Sequence, residues 1–162
     1  MARKSRGRRR GRLSEAGSRG RGAKSHEPIA SRHPVTRLAC YAWAAPTSLL
    51  GLLAGVLTLA TGGKVQARRG ALEFHGGAAA WWSNRIGFHA MTLGHVILGR
   101  SAADLDLVRD HEQAHVRQAE RWGPAFLPAY LTASVLAYCR GGHYYRDNWY
   151  ERDARRAAGE PD

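Results

Sequence analysis

Two histidines and a glutamate in one short run carry the clearest chemical signal in the chain, His111-Glu112-Gln113-Ala114-His115. Positions four apart on a helix lie one turn above each other, so His111 and His115 can present two imidazoles to one ion. Zinc is commonly held by such a pair. Glu112 sits beside the first ligand, where a carboxylate can take a proton from zinc-bound water as it attacks a carbonyl. The run therefore predicts a Zn²⁺ site with His111 and His115 as ligands and Glu112 as the catalytic base.

A catalytic zinc site of this kind needs a third protein ligand. Residues 140–156 offer four side chains that ligate zinc, and these are His143, Asp147, Glu151 and Asp153. The residue types alone leave the choice among them open.

A resemblance narrows that choice. The run HEQAH, followed after a helix-length gap by Asn-Trp-Tyr-Glu-Arg-Asp-Ala at residues 148–154, resembles the gluzincin class of zinc metallopeptidases. In that class a distal Glu on a later helix completes the site, which implies Glu151 as the third metal ligand. Related membrane gluzincins often place an Asp four residues after that Glu, where this chain has Arg155, and Asp153 is the candidate to substitute for it. Residues 64–156 also look like small bacterial membrane proteins of unassigned function that carry the same motif.

The elements that must position these residues have recognisable ends. Residues 102–122 contain no Gly or Pro and follow Ser101, a residue type that caps helices, so they predict a helix that carries the HEQAH run. Gly123 and Pro124 supply its end. Before it, apolar and polar residues alternate over 64–77 on both sides of an Arg-Arg-Gly break, a pattern that predicts a β-hairpin. Residues 88–98 predict one further strand.

The expected fold class is therefore α+β and mainly helical. It comprises one N-terminal membrane helix, a short β-hairpin and strand region, the helix with the HEQAH run and two further helices. The expected domains are a disordered basic tail over 1–37, a transmembrane helix over 38–62 and a zinc-binding gluzincin-like domain over 63–158.

The net charge of +12 belongs almost entirely to the tail. Residues 1–37 hold 12 Lys or Arg against Glu15 and Glu27, a balance of +10, whereas residues 38–162 have a balance of +2. Arg, Gly and Ser dominate the start of the chain, so this segment is expected to be disordered and to make weak, nonspecific contact with polyanions. The two cysteines are too few for a disulfide framework.

The membrane prediction depends on residues 38–61, which contain no charged side chain. A helix of about 24 residues would cover about 36 Å, enough to cross a bilayer core of about 30 Å. A long buried helix of a soluble domain is the competing interpretation. A single pass with the basic N-terminus in the cytoplasm is expected. The apolar run over 125–139 is short for a second span and is expected to pack on the HEQAH helix or lie at the interface.

Three further groups of residues have two interpretations each. His95 lies in the predicted strand and either lines the cleft or is a core residue. Residues 143–146 (His-Tyr-Tyr-Arg) either donate hydrogen bonds to the oxyanion of peptide hydrolysis or anchor the chain at an interface. Trp81 and Trp82 either contact the membrane surface or belong to a binding site, and their type favours the membrane surface.

Three functional hypotheses follow. The leading one is a membrane-anchored zinc metallopeptidase that hydrolyses a peptide bond, with a peptide or protein as substrate. The second keeps the zinc as a staple for a non-catalytic membrane scaffold or partner-binding protein. The third assigns the main role to the basic tail, which would tether nucleic acid or anionic lipid.

Overall fold

A computed structural model of the protein describes residues 33–161. The disordered tail predicted for 1–37 therefore lies almost wholly outside the described residues. Within the described range the helices and strands follow one another as α1 (Pro34–Trp43), α2 (Ala45–Ala60), β1 (Lys64–Arg68), β2 (Ala71–His75), α3 (Gly77–Ile86), β3 (Ala90–Leu93), β4 (Val96–Gly99), α4 (Ala102–Trp122), α5 (Phe126–Cys139) and α6 (Trp149–Ala158). The α+β, mainly helical class is confirmed.

The four strands form one mixed sheet in the order β1-β2-β4-β3. Strands β1 and β2 make the predicted hairpin, with Arg68 paired to Ala71 across a two-residue turn. Both turn residues adopt positive φ, 48° at Arg69 and 84° at Gly70. Such a turn matches the right-handed twist of the strands it joins.

The prediction of one strand over 88–98 is wrong, because the chain reverses there to form β3 and β4. Gly94 allows the reversal with a φ of 63°. The run gave only a weak signal for this turn, because Gly94 and His95 are the two residues between the strands and neither Pro, Asn nor Asp accompanies the glycine. The reversed strand β4 runs parallel to β2, and α3 lies in the crossover between them. Strand β3 is left at the edge of the sheet.

The sheet separates two helical layers, because successive side chains of β4 point to opposite faces of the sheet. Ile97 points to one side and packs with Leu105 and Val116 of α4. Val96 and Leu98 point to the other side, into the apolar cluster that includes residues of α2 and α3. Helix α4 and helix α2 therefore cover opposite faces of the sheet.

Helix α2 approaches the sheet through glycines. A Cβ atom added at Gly51 would lie 2.6 Å from the Cβ of Val96, and one added at Gly55 would lie 2.7 Å from the ring of Phe74. The helix backbone is therefore in direct contact with the strands at these glycines, and Leu52 packs beside them against the same cluster.

The predicted single helix over 38–62 is wrong as a continuous element. The chain breaks at Ala44 into α1 and α2, which are bent by 74°. Pro46 explains the break, because it has no N–H to donate, its ring crowds the carbonyl of Ala42, and it disfavours helical geometry at the residue before it. No single helix among the described residues is long and apolar enough to cross a membrane; the bent pair passes that test only when its two helices are taken together.

The close approach of α2 leads to a stability prediction for Gly51→Ala. Alanine is the better helix former by about 1 kcal/mol, but the new methyl group meets Val96 and the backbone oxygen of Leu93. Overpacking costs about 1–3 kcal/mol, and an approach of 2.6 Å between two Cβ atoms places this site at the upper end of that range. We therefore expect a net loss of about 1–2 kcal/mol in the free energy of unfolding. Urea denaturation measures it. Leu53→Ala on the exposed side is the control and should change stability by less than about 0.5 kcal/mol. A Gly51→Ala variant as stable as the wild type would mean that α2 does not lie on the sheet.

Candidate metal centre

Helix α4 carries the HEQAH run and has the predicted bounds. The Ser101 side chain caps its first turn by accepting a hydrogen bond from the Asp104 N–H at 3.1 Å. Its middle is fixed to the sheet by Arg109, whose Nε donates to the buried carboxylate of Glu73 at 3.0 Å. Residues 111–116, which include both histidines, are buried.

Helix α6 supplies the third residue, and Asn148 fixes where this helix begins. The Asn148 side-chain oxygen accepts from the Tyr150 N–H at 2.8 Å and so caps the helix. Its amide nitrogen donates to the Tyr130 carbonyl at 3.1 Å and to the Ser134 hydroxyl at 2.8 Å, both on α5. Because the cap is tied to α5, the first turn of α6 holds Glu151 in a defined position.

The three predicted ligands meet at one point. The Nε2 atoms of His111 and His115 lie 3.1 Å apart, and the Glu151 carboxylate oxygens lie 3.1 Å from the first and 3.2 Å from the second. An ion about 2.0–2.1 Å from each of three tetrahedral ligands would space their donor atoms by about 3.3–3.4 Å. The buried His111, His115 and Glu151 therefore fit a metal ion.

The outward nitrogens of both imidazoles have acceptors, which fixes how the rings are turned. His115 Nδ1 lies 2.8 Å from the Gln118 side-chain oxygen, and His111 Nδ1 lies 3.3 Å from the Glu160 carboxylate. A ring that donates from Nδ1 directs the lone pair of Nε2 inward. When both rings carry their proton on Nδ1, two lone pairs and a carboxylate face one another, an arrangement that a cation stabilises. A proton on Nε2 instead lets a ring donate to the Glu151 carboxylate, so protons and a cation compete for the same positions.

Asp153 supports the site through Gln118. The Gln118 amide nitrogen donates to the Asp153 carboxylate at 2.9 Å and to the Tyr150 carbonyl at 3.0 Å. The amide is thereby oriented with its oxygen toward His115. Asp153 thus contacts the site through Gln118 and lies outside the group of three donors.

The other candidates for the third ligand lie in the loop before α6. His143 Nδ1 accepts hydrogen bonds from the N–H groups of Tyr145 and Arg146 at 3.1 and 3.2 Å. Asp147 accepts from the His143 N–H at 2.7 Å. Both side chains stabilise this loop by hydrogen bonds, and neither belongs to the group of metal donors with His111 and His115.

The charges in the site depend on burial and on hydrogen bonds. Burial alone would raise the pKa of Glu151, but hydrogen bonds to His111 and His115 hold it well below its usual value. Burial likewise opposes protonation of His115, yet its hydrogen bond to Glu151 gives a net rise in pKa. The hydroxyl of Tyr130 donates to the Glu151 carboxylate at 2.6 Å. The pKa of Tyr130 is raised, mainly by burial and next by the negative charge of Glu151. Glu151 is therefore a carboxylate held by a neutral donor.

Glu112 is buried beside the three donors without being one of them. Its Oε2 accepts a hydrogen bond from the Thr92 hydroxyl at 2.6 Å. Thr92 lies on the edge strand β3, twenty residues before Glu112 along the chain. No motif in the sequence singles out Thr92, because the contact is created by the reversal at Gly94.

His95 and the apolar run over 125–139 contribute to packing. His95 is buried, lies 3.2 Å from the Glu120 carboxylate and packs against Tyr41 with ring centroids 4.2 Å apart and ring planes tilted by 45°, so it is a core residue outside the site. The run over 125–139 forms α5, which packs on α4 and α6 through Phe126 and Tyr130.

The chain matches no protein-family model, no curated protein and no solved structure.

The contact between Gln118 and His115 leads to a prediction for Gln118→Leu. Leucine has a similar size but cannot accept from Nδ1, so we expect zinc affinity to fall by about 10- to 100-fold in a chelator-competition titration. Gln113→Leu is the matched control, since Gln113 is buried on the same helix and its amide nitrogen has no partner. Equal affinity of the two variants would contradict a role for Gln118 in orienting the ligand.

Proposed function

We propose that this protein is a membrane-associated, zinc-dependent metallopeptidase in which Glu112 is the general base. The position of Glu112 carries the proposal. A second carboxylate lies next to the His-His-Glu group, outside it, and accepts a hydrogen bond from the neutral hydroxyl of Thr92. A site that only stored a metal ion has no use for a carboxylate fixed in that place.

The donor set favours zinc among the common divalent ions. His111 and His115 offer imidazole nitrogens and Glu151 offers a carboxylate, a combination found in catalytic zinc sites that keep a fourth position for water or substrate. When bound, zinc lowers the pKa of a water ligand and polarises the substrate carbonyl.

The chain's own residues then have separate tasks. Glu112 takes the proton of the attacking water and returns it to the leaving amine, and Thr92 holds its carboxylate in one orientation. Tyr145 is half exposed, and burial together with the negative charge of Glu151 raises its pKa, so it stays protonated. Of the four residues over 143–146, Tyr145 is therefore the best donor for the oxyanion that forms during hydrolysis.

The edge strand supports a peptide as the substrate class. Within the described residues β3 pairs only with β4, and Thr92 of this strand contacts Glu112. An extended peptide that adds to a sheet edge gains main-chain hydrogen bonds without requiring a particular sequence. Its scissile bond would then pass the carboxylate of Glu112.

Metal loading and proteolysis test the proposal together. We expect purified protein to contain about one zinc per chain and to cleave bonds in a defined mixture of peptides, as read by mass spectrometry. A chelator should stop cleavage, and added zinc should restore it. A protein that stays free of metal after zinc loading would refute the proposal.

One observation favours a second candidate, a zinc-stapled scaffold without catalysis. His111, Glu112, His115 and Glu151 are 7%, 5%, 6% and 2% exposed, and closed metal sites are more often structural. In that case chelation would unfold the protein cooperatively, and removal of the Glu112 charge would leave its biological phenotype intact.

A further inference from the structure

Helix α2 presents a continuous apolar face on the side opposite its glycines. Gly51 and Gly55 lie against the sheet. Five large side chains on the outer side are between 51% and 70% exposed, and we call them the leucine face: Leu49, Leu50, Leu53, Val56 and Leu57. A contiguous group of exposed large apolar side chains on a folded domain marks a contact with a partner or a membrane.

Helix α3 extends this surface with aromatic residues. Leu57 and Trp81 line the same shallow depression between α2 and α3. Trp81 is 70% exposed, and Trp82 and Ile86 are exposed beside it. Tryptophan is enriched where protein meets the headgroup region of a bilayer, because its ring is apolar and its N–H is polar.

The charges around this surface are of one sign. From residue 28 to residue 103 the sole carboxylate is Glu73, which is 1% exposed and paired with Arg109 on the other side of the sheet. Lys64, Arg68 and Arg85 are exposed in the same part of the chain. Eleven of the 12 Lys or Arg of 1–37 precede α1 in the sequence, and the twelfth, Arg37, lies in its first turn. An acidic protein would bind this surface only if it also carried an apolar patch of matching shape. An anionic bilayer offers negative headgroups for the basic residues and an apolar interior for the leucine face.

We propose that the leucine face and Trp81 dock into the interface of an anionic lipid bilayer, with α2 lying in the membrane plane. Apolar burial and basic charge are the two signals that stable peripheral attachment requires. A crossing by α2 would need lipid contact around the whole helix, but one side of it is occupied by the sheet. Because α4 covers the opposite face of the sheet, the metal centre would be on the side away from the lipid.

This inference deepens the membrane association in the proposed function but does not depend on catalysis. Glu112→Gln should bind vesicles as the wild type does. A failure of vesicle binding would therefore leave the proposed peptidase activity untouched. Equally, a protein without peptidase activity could still bind vesicles.

Vesicle co-sedimentation of the full chain tests the docking surface. The vesicles are phosphatidylcholine alone or mixed with about one third phosphatidylglycerol, since anionic lipid adds attraction for each Lys or Arg near the surface. We expect binding to the mixed vesicles and, for Leu53→Glu, partitioning reduced by about 10-fold or more. Leu107→Glu is the matched control, because Leu107 is 75% exposed on α4, on the other side of the sheet, and should bind as the wild type. Circular dichroism and zinc content confirm that both variants fold.

Three outcomes would overturn the proposal. Equal binding of the two variants and the wild type would mean that the basic residues act without the leucine face. A dimer in solution that Leu53→Glu converts to a monomer, with vesicle binding unchanged, would assign the face to a second copy of this chain. Retention in cell membranes after alkaline carbonate would indicate a spanning anchor.

Discussion

Glu112→Gln is expected to keep zinc bound and to lower peptide cleavage by about 100- to 10,000-fold, the usual contribution of a positioned general base. Glutamine has the same shape as glutamate, and its side-chain oxygen can still accept the hydrogen bond from Thr92. The variant therefore removes the ability to take a proton while the packing of α4 stays the same. Zinc content by atomic absorption and initial cleavage rates by mass spectrometry measure the two effects separately.

Glu120→Gln is the matched control for that result. Glu120 is also a buried glutamate of α4, but its carboxylate contacts His95 and lies outside the metal group. Its activity should stay within a few-fold of the wild type. If both variants lost activity alike, the loss would reflect a change in folding, and if Glu112→Gln cleaved as the wild type does, the assignment of the base would be wrong.

The parts of the fold that sequence predicts well are those with local signals. Helix α4 begins and ends as predicted because Ser101 and Gly123 act within one turn of the backbone they cap. The two histidines share a face for the same reason, since helical geometry relates residues four apart. The hairpin β1–β2 follows from the Arg69-Gly70 turn.

The parts that sequence does not predict depend on contacts between distant residues. Thr92 meets Glu112 only because β3 folds back beside α4, and nothing near either residue indicates it. Gln118 is one polar residue among several on α4 until Asp153 on α6 orients it. Glu151 is one of four candidate ligands by residue type, and the resemblance to gluzincins is what distinguished it.

The apolar run over 38–61 shows why composition alone does not distinguish a membrane span from a helix that packs on a sheet. An uncharged helix suits a bilayer and a sheet face equally well, because both exclude water. Pro46 and the spacing of Gly51 and Gly55 carry the missing information, since a break and a small-residue stripe let α2 lie flat on the strands. These residues indicate a helix packed on a sheet only once the positions of the strands are known.

The second large effect is expected from Glu151→Gln, which should lower zinc affinity by about 100-fold or more. The amide can still accept the hydrogen bond from Tyr130, but it brings no negative charge to the two imidazoles. A ligand that binds only the folded state stabilises it in proportion to the logarithm of its concentration over its Kd. Micromolar zinc should therefore raise the melting temperature of the wild type and leave that of the variant almost unchanged.

Asp153→Asn is the matched control, because Asp153 lies two residues further along α6 and was a competing candidate for the third ligand. It contacts the site only through Gln118, so its zinc affinity should stay within about 10-fold of the wild type. Calorimetric titration and thermal melts of both variants measure the difference. The reverse ranking, with Asp153→Asn losing zinc and Glu151→Gln retaining it, would assign the third ligand to Asp153 and would remove the support that the site gives to a gluzincin-like peptidase.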